Sequence, residues 1–286
     1  MKSAKTVAAL HDLSGVGRCA LTVAIPVISA MGLQVIPAPT AVLSAHTAFP
    51  DYVGLDLTDY LEQCLEKWCG MGLEFDCIYT GYMASVRQEE IARRFMDAQP
   101  RAIKVVDPVL GDDGVMYRAL PKDMPEAMKR LCRGADVITP NWTEAVLLTG
   151  GEGVAADRNA LPGTRVSAQS VSLKKLNEML DKLMSLGPKT ALLTGVVLEG
   201  RHVNAWTGEG GRTEMIEYEP VHASFPGTGD LFASVLTGAL TKGKAFEDAV
   251  RLATDYVRET MLHTVACGTQ PVFGVQLEQT LGKLAN

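Results

Sequence analysis

The sequence is short of aromatic residues, 6% in all, and no apolar run in it approaches bilayer-spanning length. It also lacks a basic excess: 27 Lys and Arg stand against 33 Asp and Glu, a formal net charge of -6. The first shortage argues against a protein threaded through a membrane by helices. The second argues against a nucleic-acid binder, which carries a basic face. The six cysteines (19, 64, 69, 77, 132 and 267) form no C-x-x-C pair and no zinc-ligand spacing. They read as free thiols in a reducing compartment, mostly behaving as small hydrophobes. After MKSAK the apolar stretch is only TVAAL, too short for a signal-peptide core, so a cytoplasmic protein is expected. No G-x-x-x-x-G-K-[ST] occurs, which excludes a P-loop kinase.

What is present suits one large α/β domain spanning 1–286, with 47% hydrophobic and 21% charged residues. Short apolar runs predict strands at 6–10, 33–38, 76–81, 102–107, 136–139 and 190–195. Helix-period segments lie between most of them, as at 58–69, 88–98, 122–132 and 171–185. This βαβα rhythm is that of a parallel sheet covered on both faces. Runs 201–207 and 213–219 flank a GEGG turn and predict an antiparallel pair at one edge. Segments 229–242 and 245–262 read as helices, and the polar, glycine-rich stretch 150–170 as a surface excursion rather than a domain boundary.

Ligands of open parallel sheets bind at the carboxyl ends of the strands. After the first strand, Gly15-Val16-Gly17-Arg18-Cys19-Ala20 matches G-x-G-x-x-G/A, the dinucleotide fingerprint. The match is weak, because four residues separate strand and glycine and the second strand ends in PAPT, without a carboxylate for a ribose. Further on, Gly227-Thr228-Gly229-Asp230 precedes the helical run LFASVLTGAL. Backbone amides converging there would make an anion nest at a helix N-terminus, with Asp230 placed to accept a hydroxyl proton. The alternative is that Thr228 or Asp230 simply caps the helix. In TPNWTE, Asn141 and Glu144 have capping-box spacing. Capping is the default reading, and the alternative puts the Glu144 carboxylate near a magnesium ion, directly or through water. In VDPVLGDDG, Asp107 ends a buried strand and faces the ligand edge, while Asp112 and Asp113 lie in a glycine-bounded loop.

Taken together, HDLSGVG, SAHT, TGYMAS, VDPVLGDDGVMY, ADVITPNWTEAVLLTG, LLTGV and FPGTGD resemble the ribokinase-like superfamily, and within it the pyridoxal kinases. The resemblance covers about residues 5 to 270. It implies a three-layer α/β/α fold with a mostly parallel sheet and an antiparallel edge. It implies transfer of phosphate from ATP to the hydroxymethyl group of a vitamin B6 vitamer, with Mg²⁺ and a monovalent cation such as K⁺ as candidate ions. Asp230 would be the base, and Gly227, Thr228 and Gly229 the anion hole. Asp107, Asn141 and Glu144 would organise ATP and Mg²⁺, the two acids on the metal side, with Thr194 and Gly195 at the nucleotide phosphates. Asp12, His46, Thr47 and Tyr82 would form the vitamer pocket, although His46 on its own reads as a hydrogen-bonded loop histidine. Loop 111–121 matches the flap that covers the site, and a homodimer is expected, with the edge strands near 201–219 as contributors. Pyridoxal kinases usually carry serine where Asp12 stands. The segment Asp12 to Gly15 is similar to that of the hydroxymethylpyrimidine kinases, which carry G-T-G-C in place of G-T-G-D and supply the alternative substrate.

Overall fold

A computed structural model describes residues 4–150, 170–208 and 210–285. The predicted strand–helix rhythm is there; the first two strands and the one from Thr190 run longer than the sequence suggests, and those at 76–81, 102–107, 136–139 and 213–219 are shorter. The strands are β1 (Thr6–Val16), β2 (Gln34–Ala45), β3 (Gly54–Asp56), β4 (Cys77–Thr80), β5 (Ile103–Val106), β6 (Gly111–Asp112), β7 (Val115–Met116), β8 (Val137–Ile138), β9 (Thr190–Leu198), β10 (Arg201–Gly208) and β11 (Glu214–Tyr218). The helices are α1 (Leu21–Ala30), α2 (Thr58–Gly70), α3 (Val86–Ala98), α4 (Met124–Arg133), α5 (Trp142–Thr149), α6 (Leu173–Met184), α7 (Thr228–Lys242) and α8 (Phe246–Ala266). The excursion expected at 150–170 falls almost wholly outside the described residues, as does Glu209 of the GEGG turn.

Nine strands form one sheet in the order β11-β10-β9-β8-β5-β4-β1-β2-β3. The six from β2 to β9 run parallel, β3 on one flank and β10 on the other run against them, and β11 pairs antiparallel with β10. Strand side chains alternate between faces. Ala8, Leu10 and Ile78 therefore pack with α2 to α6, whereas Val7, Cys77 and Tyr79 pack with α1 and α7. A second cluster, Val235, Leu236, Ala249 and Ala253, joins α7 to α8 on that face. Each fully buried Leu or Ile in these layers contributes about 1.5–3 kcal/mol. Among the described residues no helix is long and apolar enough to cross a membrane. All six cysteines are free thiols.

One departure from the parallel pattern shapes the site. β1 pairs β4 only over Val7–Leu10 but stays with β2 as far as Val16. The paired ends of β1 and β2, with β3 beside them, thus project past the carboxyl edge as a wall. Val16, Val42, Val53 and Leu55 are exposed on this projection. No large apolar side chain of β10 or β11 is exposed in the same way.

Candidate active site

The start of α7 decides between the two readings of GTGD. Gly227 is the N-cap, in the left-handed region at φ 81°, and no side chain caps the helix. The Thr228 hydroxyl donates backwards, to the Phe225 carbonyl at 3.2 Å. Among the described residues no acceptor meets the N–H of Thr228, Gly229 or Asp230. The helix therefore presents bare donors at its positive end, the condition for holding an anion. The two glycines differ in purpose. A Cβ on Gly227 would lie 2.0 Å from the Arg18 carbonyl oxygen, so packing and φ both demand glycine there. A Cβ on Gly229 would meet nothing within 4 Å, so its absence keeps open the space in front of the helix.

Asp230 is half-buried, and its carboxylate accepts from the Ala20 backbone N–H. Ala20 turns toward it with φ 52°, a conformation rare for a residue with a side chain and typical of functional sites. Burial raises the Asp230 pKa, and that backbone bond only partly offsets the rise. Facing it is Asp12, nine-tenths buried, whose Oδ2 accepts from the Ser14 hydroxyl at 2.8 Å. Burial and, less strongly, the Asp230 charge lift the Asp12 pKa to about 6 against the pull of Ser14. Asp107 is raised well above the carboxylate range by burial first and Asp230 second. Glu144 is raised the same way by burial and by Asp107. The charged groups acting on these carboxylates are other carboxylates.

At α5 the capping box is complete. Asn141 Oδ1 accepts from the Glu144 N–H, and Glu144 Oε2 accepts from the Asn141 N–H, both at 2.9 Å. The pair also grips the flap. Glu144 Oε1 accepts from the Leu110 N–H at 3.2 Å, and the Asn141 amide donates to the Gly111 carbonyl at 2.9 Å. The expected flap, loop 111–121, opens with the β6–β7 hairpin, which is further tied by the Gly114 N–H to the Thr143 hydroxyl at 2.9 Å. Thr194, partly exposed, and Gly195, exposed, lie next to Asn141, with Asn141 and Thr194 bridged in parallel. The Gly195 N–H is taken by Asn204 Oδ1 at 2.9 Å, while its Cβ direction is open. Among the described residues no group of three His, Cys, Asp or Glu is arranged to hold a metal ion.

At the other end, His46 is buried with both ring nitrogens engaged. Nε2 donates to the Val272 carbonyl at 2.7 Å, and Nδ1 accepts from the Ala48 N–H at 3.2 Å. A carbonyl only accepts and an amide N–H only donates, so the ring is the neutral Nε2–H tautomer. Burial lowers its pKa in agreement. Its Cδ2 would be 2.1 Å from a Cβ on Gly17, and a Cβ on Gly15 would be 2.7 Å from the Ser44 carbonyl. Both glycines of the G-x-G therefore serve close packing along the β1–β2 wall, and β1 runs through Gly15 where a dinucleotide site needs a tight turn. Thr47 is exposed beside His46. Tyr82 is partly buried, its phenol pushed up to about 12 by burial, with Tyr52, Asp12 and Asp56 adding to the rise.

Three contributors escaped sequence reasoning. Tyr117, directly after β7, leaves 38% of its surface exposed. Its pKa is raised by burial and by Asp112, Glu144 and Asp230. Ser14 fixes Asp12, and its place two residues on was the available signal. The segment Val272–Phe273 closes on His46 and on Arg18, whose guanidinium reaches the Phe273 carbonyl at 3.1 Å and Glu278 at 2.7 Å. Nothing in local spacing announces that contact.

Comparison with known proteins agrees with this geometry. The family model described as phosphomethylpyrimidine kinase matches residues 25–274. A Bacteroides thetaiotaomicron protein assigned to the phosphomethylpyrimidine kinases, in a crystal form with pyridoxal, is 36% identical. That alignment covers 99% of this chain and 96% of the other, with a TM-score of 0.83. The pyridoxal kinase of Lactobacillus plantarum is 31% identical over 99% and 97% of the two chains, TM-score 0.86. A pyridoxal kinase of Rubrobacter xylanophilus is 28% identical over 271 residues, 88% of this chain and 84% of its relative. With its sheet order, its open helix start and these relatives, the chain belongs to the phosphomethylpyrimidine kinase family, among the pyridoxal kinases of the ribokinase-like superfamily.

Proposed function

We propose that this kinase transfers the γ-phosphoryl group of ATP to the hydroxymethyl oxygen of a vitamin B6 vitamer. The observation that carries the reading is the uncapped start of α7, with Asp230 in its first turn and Asp12 opposite. Asp230 takes the proton of the vitamer hydroxyl as its oxygen bonds to phosphorus and the bond to ADP breaks. A carboxylate whose pKa is raised is a better acceptor than an exposed one. The free N–H groups of Thr228, Gly229 and Asp230, beyond the turn at Gly227, stabilise the charge on the transferring group. Asp12, ionised above about pH 6, favours a protonated pyridine nitrogen or an aminomethyl group. Tyr82 and Thr47 complete the pocket wall, and His46 holds it in place.

Asp107, Asn141 and Glu144, with Thr194 and Gly195 beside them, form the nucleotide end. Buried carboxylates that raise one another's pKa fit a cation. Two of them suit Mg²⁺, which keeps several waters and uses one or two carboxylates besides phosphate oxygens. Asp107 and Glu144 would hold it, Glu144 through water because both its oxygens already accept backbone N–H groups. The ion supplies neutralisation of phosphate charge when bound. The whole chain serves as one catalytic domain, and six free thiols suit the cytoplasm. We place a homodimer contact on the projecting wall, where Val16, Val42, Val53 and Leu55 are exposed, rather than at β11.

A hydroxymethylpyrimidine kinase is the second reading, favoured by the family model and by the Asp12–Gly15 segment. A phosphorylation panel tests both, using pyridoxal, pyridoxine, pyridoxamine and hydroxymethylpyrimidine, with and without Mg²⁺ and K⁺. A B6 vitamer should exceed the pyrimidine in kcat/KM by about tenfold or more, since a polar mismatch in a buried pocket costs at least that. The reverse ranking replaces the first reading with the second.

A further inference from the structure

Residues 81–85, which carry Tyr82, belong to no helix or strand. The chain leaves β4 at Thr80 and enters α3 at Val86. Ser85 caps α3 by accepting from the Gln88 N–H, and three hydrogen bonds hold residues 81–84. The Gly81 N–H donates to the Leu10 carbonyl at 3.0 Å, the Thr40 hydroxyl donates to the Tyr82 carbonyl at 3.0 Å, and the Ala84 N–H donates to Gln88 Oε1 at 2.8 Å. Two of the three depend on fully buried side chains, Thr40 in β2 and Gln88 in the first turn of α3.

Gln88 uses its whole amide. Nε2 donates to the Thr40 carbonyl and to Thr58 Oγ1, each at 2.9 Å, with Asp56 Oδ2 further off at 3.4 Å. The amide is not reversible, since Ala84 N–H has only a donor to offer and the Thr40 carbonyl only an acceptor. Burying a glutamine is costly unless every polar atom is satisfied, and packing alone would be served by Met or Leu. Of the other buried residues of this helix, Ile91, Ala92, Phe95 and Met96 are apolar and join the core, while Glu89 is paired with Arg130 and Arg93. One side chain thus joins β2, the start of α2 and the Tyr82 segment.

We propose that Gln88 is a positioning residue for vitamer binding, clamping residues 81–85, directly at Ala84 and through Thr40 at Tyr82, so that the Tyr82 ring is held on the Asp12 side of the cleft. This rests on the reading of Tyr82 as a wall of the vitamer pocket. Without the clamp the segment populates other conformations, and affinity falls by the fraction that remains competent.

The test is direct binding of pyridoxal, by fluorescence titration, to Gln88→Met, Thr40→Val, Tyr82→Leu and the Gln88→Met/Tyr82→Leu double variant. The KM for ATP and the melting temperature are measured alongside. Gln88→Met should weaken pyridoxal binding about 10-fold, the effect of a competent fraction near one in ten, with the KM for ATP within about twofold. Thr40→Val should act in the same direction, and the Gln88→Met effect should largely vanish in the Tyr82→Leu background. A lower melting temperature with unchanged pyridoxal affinity would show a purely structural glutamine and overturn the proposal. So would an undiminished effect in the double variant. If Tyr82→Leu alone leaves affinity unchanged, the underlying reading of Tyr82 fails instead, and the clamp with it. Should Gln88→Met not fold, Thr40→Val alone and combined with Tyr82→Leu decides by the same criteria.

Discussion

Helices α5 and α7 both begin at the carboxyl edge of the sheet, and each carries an acid in its first turn, yet they use it in opposite ways. At α5 the residue before the helix is Asn141, in extended backbone, and its side-chain oxygen closes a reciprocal box with Glu144. At α7 the corresponding residue is Gly227, left-handed and without a side chain, so the first-turn amides stay bare. A first-turn acid can therefore serve its own helix or a ligand, and the preceding residue decides which. Burial raises both acids against the pull of the helix dipole, so the contrast rests on the cap alone.

The sharpest way to break this contrast is Asp230→Asn. It should lower kcat by about 100-fold or more while folding is retained, the scale of a lost general base. Near-normal turnover would remove Asp230 from the chemistry. Next is Gly229→Ala, whose methyl would enter the open space ahead of α7. It should lower kcat about tenfold or more and leave the melting temperature unchanged or slightly higher, because Ala is the better helix former. A fall in stability would show that Gly229 is structural like Gly227. At α5, Asn141→Ala should cost about 1 kcal/mol, read by denaturant titration. An unchanged midpoint would mean that the box contributes nothing to folding.

A pH-dependent difference tests Asp12. Its folded pKa, about 6, lies above the ordinary value of 3.8, so the folded protein favours the protonated acid. That advantage is present below about pH 4 and is lost as pH rises to about 6. Relative to wild type, Asp12→Asn should gain stability across that interval and little beyond it. A constant difference from pH 4 to 7 would contradict the assignment.

The sheet was legible because its central strands are buried on both faces and read as continuous apolar runs. The extensions of β1 and β2 were not. Pro37 and Pro39 read as a strand end, yet β2 runs through both. The Gln34 N–H points at β1, so residues 37 and 39, of opposite parity, face the side that β3 covers only at Ala41–Leu43. A missing N–H costs nothing on that open edge. Helix α1 is apolar nearly throughout and contains Pro26, so no period marked it. β6 and β7 have two residues each, too few to show alternation. Of the candidate site, the acids and glycines stood out by type and by position after strands. That His46 is a hydrogen-bonded loop histidine was legible; its distant partner was not, because it lies 226 residues away.

That long contact also sets an order of events. In synthesis Asp12, His46 and Tyr82 come early, and the carbonyl that fixes the histidine tautomer is made more than two hundred residues after His46. Contacts of such separation form late. The end of the cleft that we read as the vitamer pocket therefore lacks this contact until residue 272 has been made.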